Sequence, residues 1–390
     1  MRNAKLVYML IFCYCLTSIL LPVFVLNKLL FVPLILASVY AALSAPVRTL
    51  SPFIIFSVFL YGFVLSLFSH SDLALARQML LGSTTLFFIF LIDDQAIDMT
   101  SILKGVGGSF ALIMTLFSCA LLLMPTADLS QYLLNYYMQH ELGFYGIRQF
   151  GSLQMFMLHH RASPFLLIPL ALFFLSFLDG KWRDGLWASL ILLCIFFTAS
   201  RGLMLMGAFM IVALFYFRSP WRLRLLTLAV TVPLTMGILF YLVTHTAVFS
   251  PTETSNGIKL GHLLSFYEQI DARSLLTGNG MGNYFYTSGY NRWVAQTEIT
   301  WMDSLRFFGL PLTFVLLVAI IFPSRYVRLG DWSHSSARIM VLIYLIMSLS
   351  NPVLFNSFGF IVVLWFWSSV LTPRIQVAPH LTVQQEGIAA

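Results

Sequence analysis

Arginines and carboxylates are sparse in this chain, so the places where they interrupt apolar sequence are the first to read for chemistry. Arg201 sits in Thr198-Ala199-Ser200-Arg201-Gly202-Leu203, between two apolar stretches. A guanidinium facing lipid is costly. Either this is a short turn whose arginine snorkels to the interface, or Arg201 faces a water-filled cavity. In a cavity its planar fork can hold two phosphate oxygens at once.

Glu298, Asp303 and Arg306 stand close together just before and inside a later apolar run. They read either as an interfacial salt-bridge cluster or as a carboxylate set among arginines. The second arrangement suits a general base or a group that orients an acceptor. Gly278, Gly280 and Gly282 alternate in the preceding polar segment. Such glycines let backbone approach a ligand closely or make a tight turn. No strand precedes them, so they are not a dinucleotide fingerprint. Arg148 lies in Gly146-Ile147-Arg148-Gln149-Phe150-Gly151, followed by His159-His160-Arg161. Two adjacent histidines with no carboxylate or third histidine at useful spacing do not make a metal site. They read as interfacial polar groups ahead of a helix, and no metal or other cofactor is expected.

These residues need a frame, and composition supplies it. Hydrophobic residues make up 59% of the 390 residues and charged residues 9%, against about a quarter charged in ordinary soluble domains. Mean hydropathy is +0.87. Lipid must solvate most of the exterior, and the 37 phenylalanines suit a lipid-facing surface better than a polar pore. The net charge of +7 sits in short clusters between apolar runs. That is a topology signal, and no nucleic-acid-binding pattern competes with it. Cys13, Cys15, Cys119 and Cys194 all fall in apolar runs without metal or disulfide spacing. Arg2 and Lys5 flank the first run, which has no small-residue cleavage site after it and reads as a retained helix.

The expected fold is an all-α polytopic membrane protein of about twelve spanning helices. The candidate spans are 6–26, 29–43, 50–68, 78–92, 105–124, 164–178, 186–199, 202–217, 225–243, 305–322, 337–349 and 352–371. With the N-terminus inside, the cytoplasmic side receives Arg48, Lys104, Lys181, Arg183, Arg218, Arg222, Arg224, Arg325, Arg328, Arg338 and Arg374. The opposite short loops hold little more than Lys28 and Arg77. This positive-inside bias puts both termini in the cytoplasm, with residues 372–390 as a cytoplasmic tail. Two segments break the pattern on the outer side: a loop at 126–163 and a larger one at 245–304, between the ninth and tenth helices. No fixed-period repeat or inverted pair of broken helices is visible. Any chemistry is expected on the outer side, where the largest non-membrane mass lies.

Taken together, these segments resemble the bacterial O-antigen ligase and polymerase superfamily. Its members have a GT-C-like bundle with a large late periplasmic loop and a Ser-Arg-Gly-like turn between two central helices, here Ser200-Arg201-Gly202. The loop carries a Gly-x-Gly-x-Gly element and then a polar residue eleven positions before a glycine, here Gly278, Gly280, Gly282, Glu298 and Gly309. Arg148 with Gly151 looks like the arginine-then-glycine element before a middle helix. The ligase branch has His-Asn where this chain has Glu298-Ile299, which favours the polymerase branch. The loop arginine expected before the glycine element has no counterpart; Lys259 sits nearest, with His262 close by.

The resemblance implies an inner-membrane glycosyltransferase acting at the periplasmic face. It would move a growing glycan from undecaprenyl pyrophosphate to the next lipid-linked repeat unit. Arg201 and Glu298 are then the expected catalytic residues. Arg148, Arg201, Lys259, Arg273 and Arg306 are expected to hold the diphosphate, with Arg292 also eligible. Tyr284, Tyr286, Tyr290, Trp293 and Trp301 could stack on sugar rings or anchor the interface. The expected partners are the undecaprenyl-pyrophosphate-linked oligosaccharide, membrane lipid and a chain-length regulator protein, with no nucleic acid. The rival functions are a ligase that transfers glycan to lipid A core and, from another class, a secondary transporter or lipid flippase.

Overall fold

The computed structural model describes residues 2–22, 25–44, 48–150, 153–245, 253–323 and 332–371. Arg325, Arg328, Arg374, Gly151 and the 372–390 tail lie outside the described residues. The first half of the bundle comprises α1 (Arg2–Leu20), α2 (Val25–Ser44), α3 (Ser51–Ser66), α4 (Leu73–Ser83), α5 (Phe88–Asp94) and α6 (Met99–Leu123). A short helix α7 (Asp128–Gln139) and a hairpin of β1 (Gly143–Phe150) and β2 (Leu153–His160) follow. The chain re-enters the bundle as α8 (Leu167–Leu178), α9 (Trp182–Phe197), α10 (Arg201–Arg218) and α11 (Trp221–His245). Next come α12 (Thr254–Gln269), α13 (Ala272–Thr277) and a second hairpin of β3 (Phe285–Thr287) and β4 (Arg292–Val294). The last helices are α14 (Thr300–Ile321), α15 (Trp332–Met347) and α16 (Ser357–Leu371).

Among the described residues, six helical stretches are long and apolar enough to cross a bilayer: Val25–Ser44, Leu73–Asp94, Met99–Leu123, Arg201–Arg218, Trp221–Ile238 and Thr300–Ile321. Shorter apolar helices accompany them at Ala4–Leu20, Ser51–Ser66, Ser163–Leu178, Ser335–Met347 and Ser357–Leu371. The chain is therefore a polytopic membrane protein. Several boundaries differ from the hydropathy reading, and local chemistry explains the shifts. The expected span 78–92 starts earlier, at Leu73, because Asp72 caps α4 by accepting from the Ala74 and Leu75 N–H groups at 3.0 Å. Asp98 starts α6 in the same way, accepting from Thr100 N–H at 2.9 Å. The last span starts later, at Ser357, where Asn356 Oδ1 accepts from Gly359 N–H at 2.9 Å.

The two segments expected as outer loops are folded. Between α6 and α8 they form α7 and the β1–β2 hairpin; between α11 and α14 they form α12, α13 and the β3–β4 hairpin. The molecule is helical with two small antiparallel additions rather than purely α.

Helix α16 is buried along nearly its whole length and packs against α1, α4, α5, α6 and α15. Its buried Trp365 and Trp367 meet the rule that an enclosed indole N–H finds an acceptor. They donate to Thr100 Oγ1 at 3.3 Å and to the Ile320 carbonyl at 3.0 Å. Ion pairs tie the reversals at one end of the bundle: Arg48 with Asp93 at 2.8 Å, Lys104 with Asp184 at 2.6 Å, and Arg218 with Asp179. The opposite end carries both hairpins, α7, α12 and α13.

Candidate active site

The Arg201 turn is built by capping. Helix α9 ends at Phe197, and Thr198 Oγ1 accepts from Ser200 N–H at 3.2 Å. Ala199 is forced to a φ of 46°, a left-handed value that is strained for a residue with a side chain. Ser200 then caps α10, its hydroxyl accepting from Leu203 N–H at 3.4 Å. Arg201 therefore projects from the first turn of α10, where the helix dipole disfavours a cation and favours a nearby anion.

That anion is Glu253, the N-cap of α12. Arg201 Nη2 donates to Glu253 Oε2 at 2.7 Å, and Arg148 Nη2 lies 3.6 Å from Glu253 Oε1. Arg148 reaches across from β1 and also donates from Nη1 to the strained Ala199 carbonyl at 3.3 Å. One carboxylate thus joins two guanidiniums from separate elements, one oxygen to each. Burial pushes the Glu253 carboxyl up. The hydrogen bonds from Arg201 and Asn256, with the charges of Arg201 and Arg148, bring it below its ordinary value. Burial, and then the neighbouring Arg201 charge, lower Arg148.

Lys259 lies on α12, and its ammonium is lowered by burial, with Glu298 opposing and Arg201 and Arg148 adding to the shift. Glu298 also acts on Arg148 and His262. Its Oε1 accepts from the Tyr290 hydroxyl at 2.8 Å. Burial, and then the Glu298 charge, hold that phenol protonated far above its ordinary value. His262 is fully buried; its Nδ1 is 2.6 Å from Thr287 Oγ1 and its ring meets the Tyr290 ring edge-on at 4.8 Å. Arg148, Arg201, Glu253, Lys259, His262, Tyr290 and Glu298 therefore form one polar neighbourhood, drawn from the two folded segments between helices and from the α9–α10 turn.

The glycine element does something else. Gly278, Gly280 and Gly282 have φ values of 75°, 89° and 68°, and a Cβ on them would strike backbone. It would lie 2.4 Å from the Phe307 carbonyl oxygen, 2.7 Å from Ser66 N and 2.7 Å from the Asp72 carbonyl oxygen respectively. Helix α14 breaks at Gly309, whose φ is 75°, just before Pro311. Pro311 has no N–H to give the Phe307 carbonyl. Gly280 N–H supplies the bond at 3.1 Å, while Asn279 N–H serves the Arg306 carbonyl at 2.7 Å. The glycines bring backbone onto backbone and re-satisfy a broken helix within the bundle.

Asp303 and Arg306 complete this joint. Both are almost fully buried, paired at 2.8 Å. Asp303 Oδ2 accepts from Thr297 N–H at 2.7 Å, and Arg306 donates to the Asn283 and Ala295 carbonyls. Its guanidinium also lies 3.9 Å from the Phe285 ring centre. The pair fastens the loop that carries Glu298, and Arg306 is committed to that task. Arg273 is exposed on α13, and Arg292 is exposed over the Tyr290 ring.

The expected sugar-stacking aromatics divide. Trp301 donates to the Leu345 carbonyl at 3.3 Å and packs against the core; Tyr284 lies against His70. Trp293 and Tyr286 are exposed side by side on the β3–β4 hairpin, ring centres 6.1 Å apart. His160 is buried with Nδ1 accepting from Ala162 N–H, so its Nε2–H donates to the Leu20 carbonyl. Burial holds it neutral, with a pKa lowered to about 4. No cluster of potential metal ligands occurs among the described residues.

Glu253 was not singled out from sequence. It carries no motif, and its one signal is an acidic residue directly before a helix.

Fold and site together define a polytopic membrane protein whose one end gathers arginine, lysine and glutamate side chains. No family model matches the chain. Over 214 residues it is 25% identical to an O-antigen polymerase of Shigella flexneri, covering 53% of this chain and 51% of that protein. The chain thus spans about half the length of the relative it matches. In this comparison, as in its motifs, the chain resembles the O-antigen polymerases.

Proposed function

We propose that this protein is a polysaccharide polymerase of the bacterial inner membrane. In this reading it crosses the membrane in twelve passes with both termini cytoplasmic. It elongates a glycan at the periplasmic face on an undecaprenyl diphosphate carrier. The observation that carries the reading is the convergence of Arg148 and Arg201 on one carboxylate, 3.6 and 2.7 Å away. Two guanidiniums set to grip paired anionic oxygens suit a diphosphate leaving group.

The acceptor hydroxyl oxygen bonds to the anomeric carbon of the donor's reducing-end sugar as that carbon's bond to diphosphate oxygen breaks. The electron pair leaves with the diphosphate, and Arg201, Arg148 and Lys259 offset the charge. The hydroxyl proton passes to Glu298, whose carboxylate Tyr290 orients through its hydrogen bond. Tyr286 and Trp293, exposed on the β3–β4 hairpin that precedes Glu298 in the chain, offer faces for sugar stacking. Tyr284, Trp301, Arg273 and Arg306 serve the fold or the rim rather than the leaving group.

The test is elongation of lipid-linked oligosaccharide by purified protein without any ion gradient. Activity excludes a secondary transporter. A deletion strain separates the polymerase from the ligase: caps of a single repeat unit mark a missing polymerase, and uncapped core marks a missing ligase. A strain with uncapped core overturns the polymerase reading.

A further inference from the structure

Glu253 occupies the position that the proposed diphosphate needs. Its two oxygens each take one arginine, and Oε2 also accepts from Asn256 N–H at 3.0 Å. Its side chain is 21% exposed, at the edge of the site rather than in the core, so displacing the carboxylate does not require the core to open. Arg201 stands at a helix N-terminus and is best balanced by some anion at all times. A carboxylate carries one negative charge on two oxygens. A diphosphate carries more charge on more oxygens and can outcompete it for the same two forks.

We infer that Glu253 is an exchangeable internal anion: it holds Arg148 and Arg201 in place while the site is empty, yields them to an incoming diphosphate, and takes them back as the diphosphate leaves. This rests on the reading of the two arginines as a diphosphate site. Glu253 then weakens ground-state binding and speeds product release. A residue that only ordered the arginines would do the opposite, and its removal would loosen binding.

The probes are inorganic pyrophosphate and farnesyl diphosphate, titrated against purified full-length protein in detergent. Glu253→Gln keeps an oxygen to cap Asn256 N–H but removes the competing charge. It is expected to bind both probes about tenfold tighter, the scale of two partly exposed ion pairs. In turnover with lipid-linked oligosaccharide, KM and kcat should both fall. Glu253→Ala, with no competing oxygen, must shift in the same direction. If both variants bind the probes no tighter than wild type, or if KM rises, the exchange is overturned and Glu253 is a clamp. A gain for farnesyl diphosphate alone also overturns it, because Glu253 competes only for the charged group. Failure of the underlying reading looks different: Arg201→Ala and Arg148→Ala would then leave pyrophosphate affinity unchanged.

Discussion

At the residue scale, the proposed diphosphate site calls for the guanidinium fork of Arg201 rather than charge alone. Lysine would keep the charge but act as a single point. Arg201→Lys should lower the elongation rate by about tenfold or more, measured with purified protein at matched folding. Glu298→Gln should cost on the order of 100-fold in kcat, the usual worth of a positioned base, while the thermal unfolding profile stays unchanged. Acid should act through Glu253, whose folded pKa is depressed. Such a group stabilises the fold above its unfolded pKa, and that contribution is lost as pH falls through the folded value. The stability advantage of wild type over Glu253→Gln should therefore be constant near neutrality and shrink below about pH 4.3. Denaturant unfolding across that range checks it; an advantage that grows on acidification contradicts the assignment. Arg201, Arg148 and Glu298 could be singled out in the sequence because charge is rare beside long apolar runs, and the structure brings them into one polar neighbourhood. Glu253 was not, because what marks it is a three-dimensional meeting of α10, β1 and α12 rather than any spacing along the chain.

At the element scale, the main device is the joint between the glycine loop and the broken helix α14. In the sequence the alternating glycines suit either ligand approach or a tight turn. The structure adds a third use, in which the loop backbone replaces hydrogen bonds that Gly309 and Pro311 remove from α14. Hydropathy could not reveal this, since a window average treats a kinked apolar helix like a straight one. The joint is specific enough to break at one atom. Gly278→Ala adds a Cβ at 2.4 Å from the Phe307 carbonyl oxygen and strains a φ of 75°. It should lower stability by about 1–3 kcal/mol or more, read as a fall in the unfolding midpoint in detergent. Removing one partner of the buried Asp303–Arg306 pair, as in Arg306→Met, should cost about 3–5 kcal/mol by stranding a carboxylate. The same variant should also slow elongation, because Thr297 beside Glu298 hangs from Asp303. Helix α7 escaped the sequence reading for a related reason. Its apolar residues Leu129 and Tyr132 lie on an exposed face instead of forming a continuous run.

At the scale of the whole molecule, the two ends differ in chemistry. One end is held by Arg48–Asp93, Lys104–Asp184 and Arg218–Asp179 pairs; the other holds the folded segments and the polar neighbourhood around Glu253. The positive-inside reading assigns the first end to the cytoplasm. A cysteine placed at exposed Trp293 should react with an impermeant thiol reagent in spheroplasts, and one at Arg183 only after lysis. The reverse pattern inverts the topology and puts the site in the wrong compartment for a periplasmic polymerase.

Arg148 and Arg201 are proposed to grip one diphosphate together. The most direct measurement is a double-mutant cycle on kcat/KM for elongation of lipid-linked oligosaccharide, using Arg148→Ala, Arg201→Ala and the pair at equal expression and folding. Each single variant should lose about 100-fold, and the double should lose clearly less than the product of the two. An Arg201→Ala protein that extends glycan at the normal rate, or two losses that simply multiply, contradicts the shared grip.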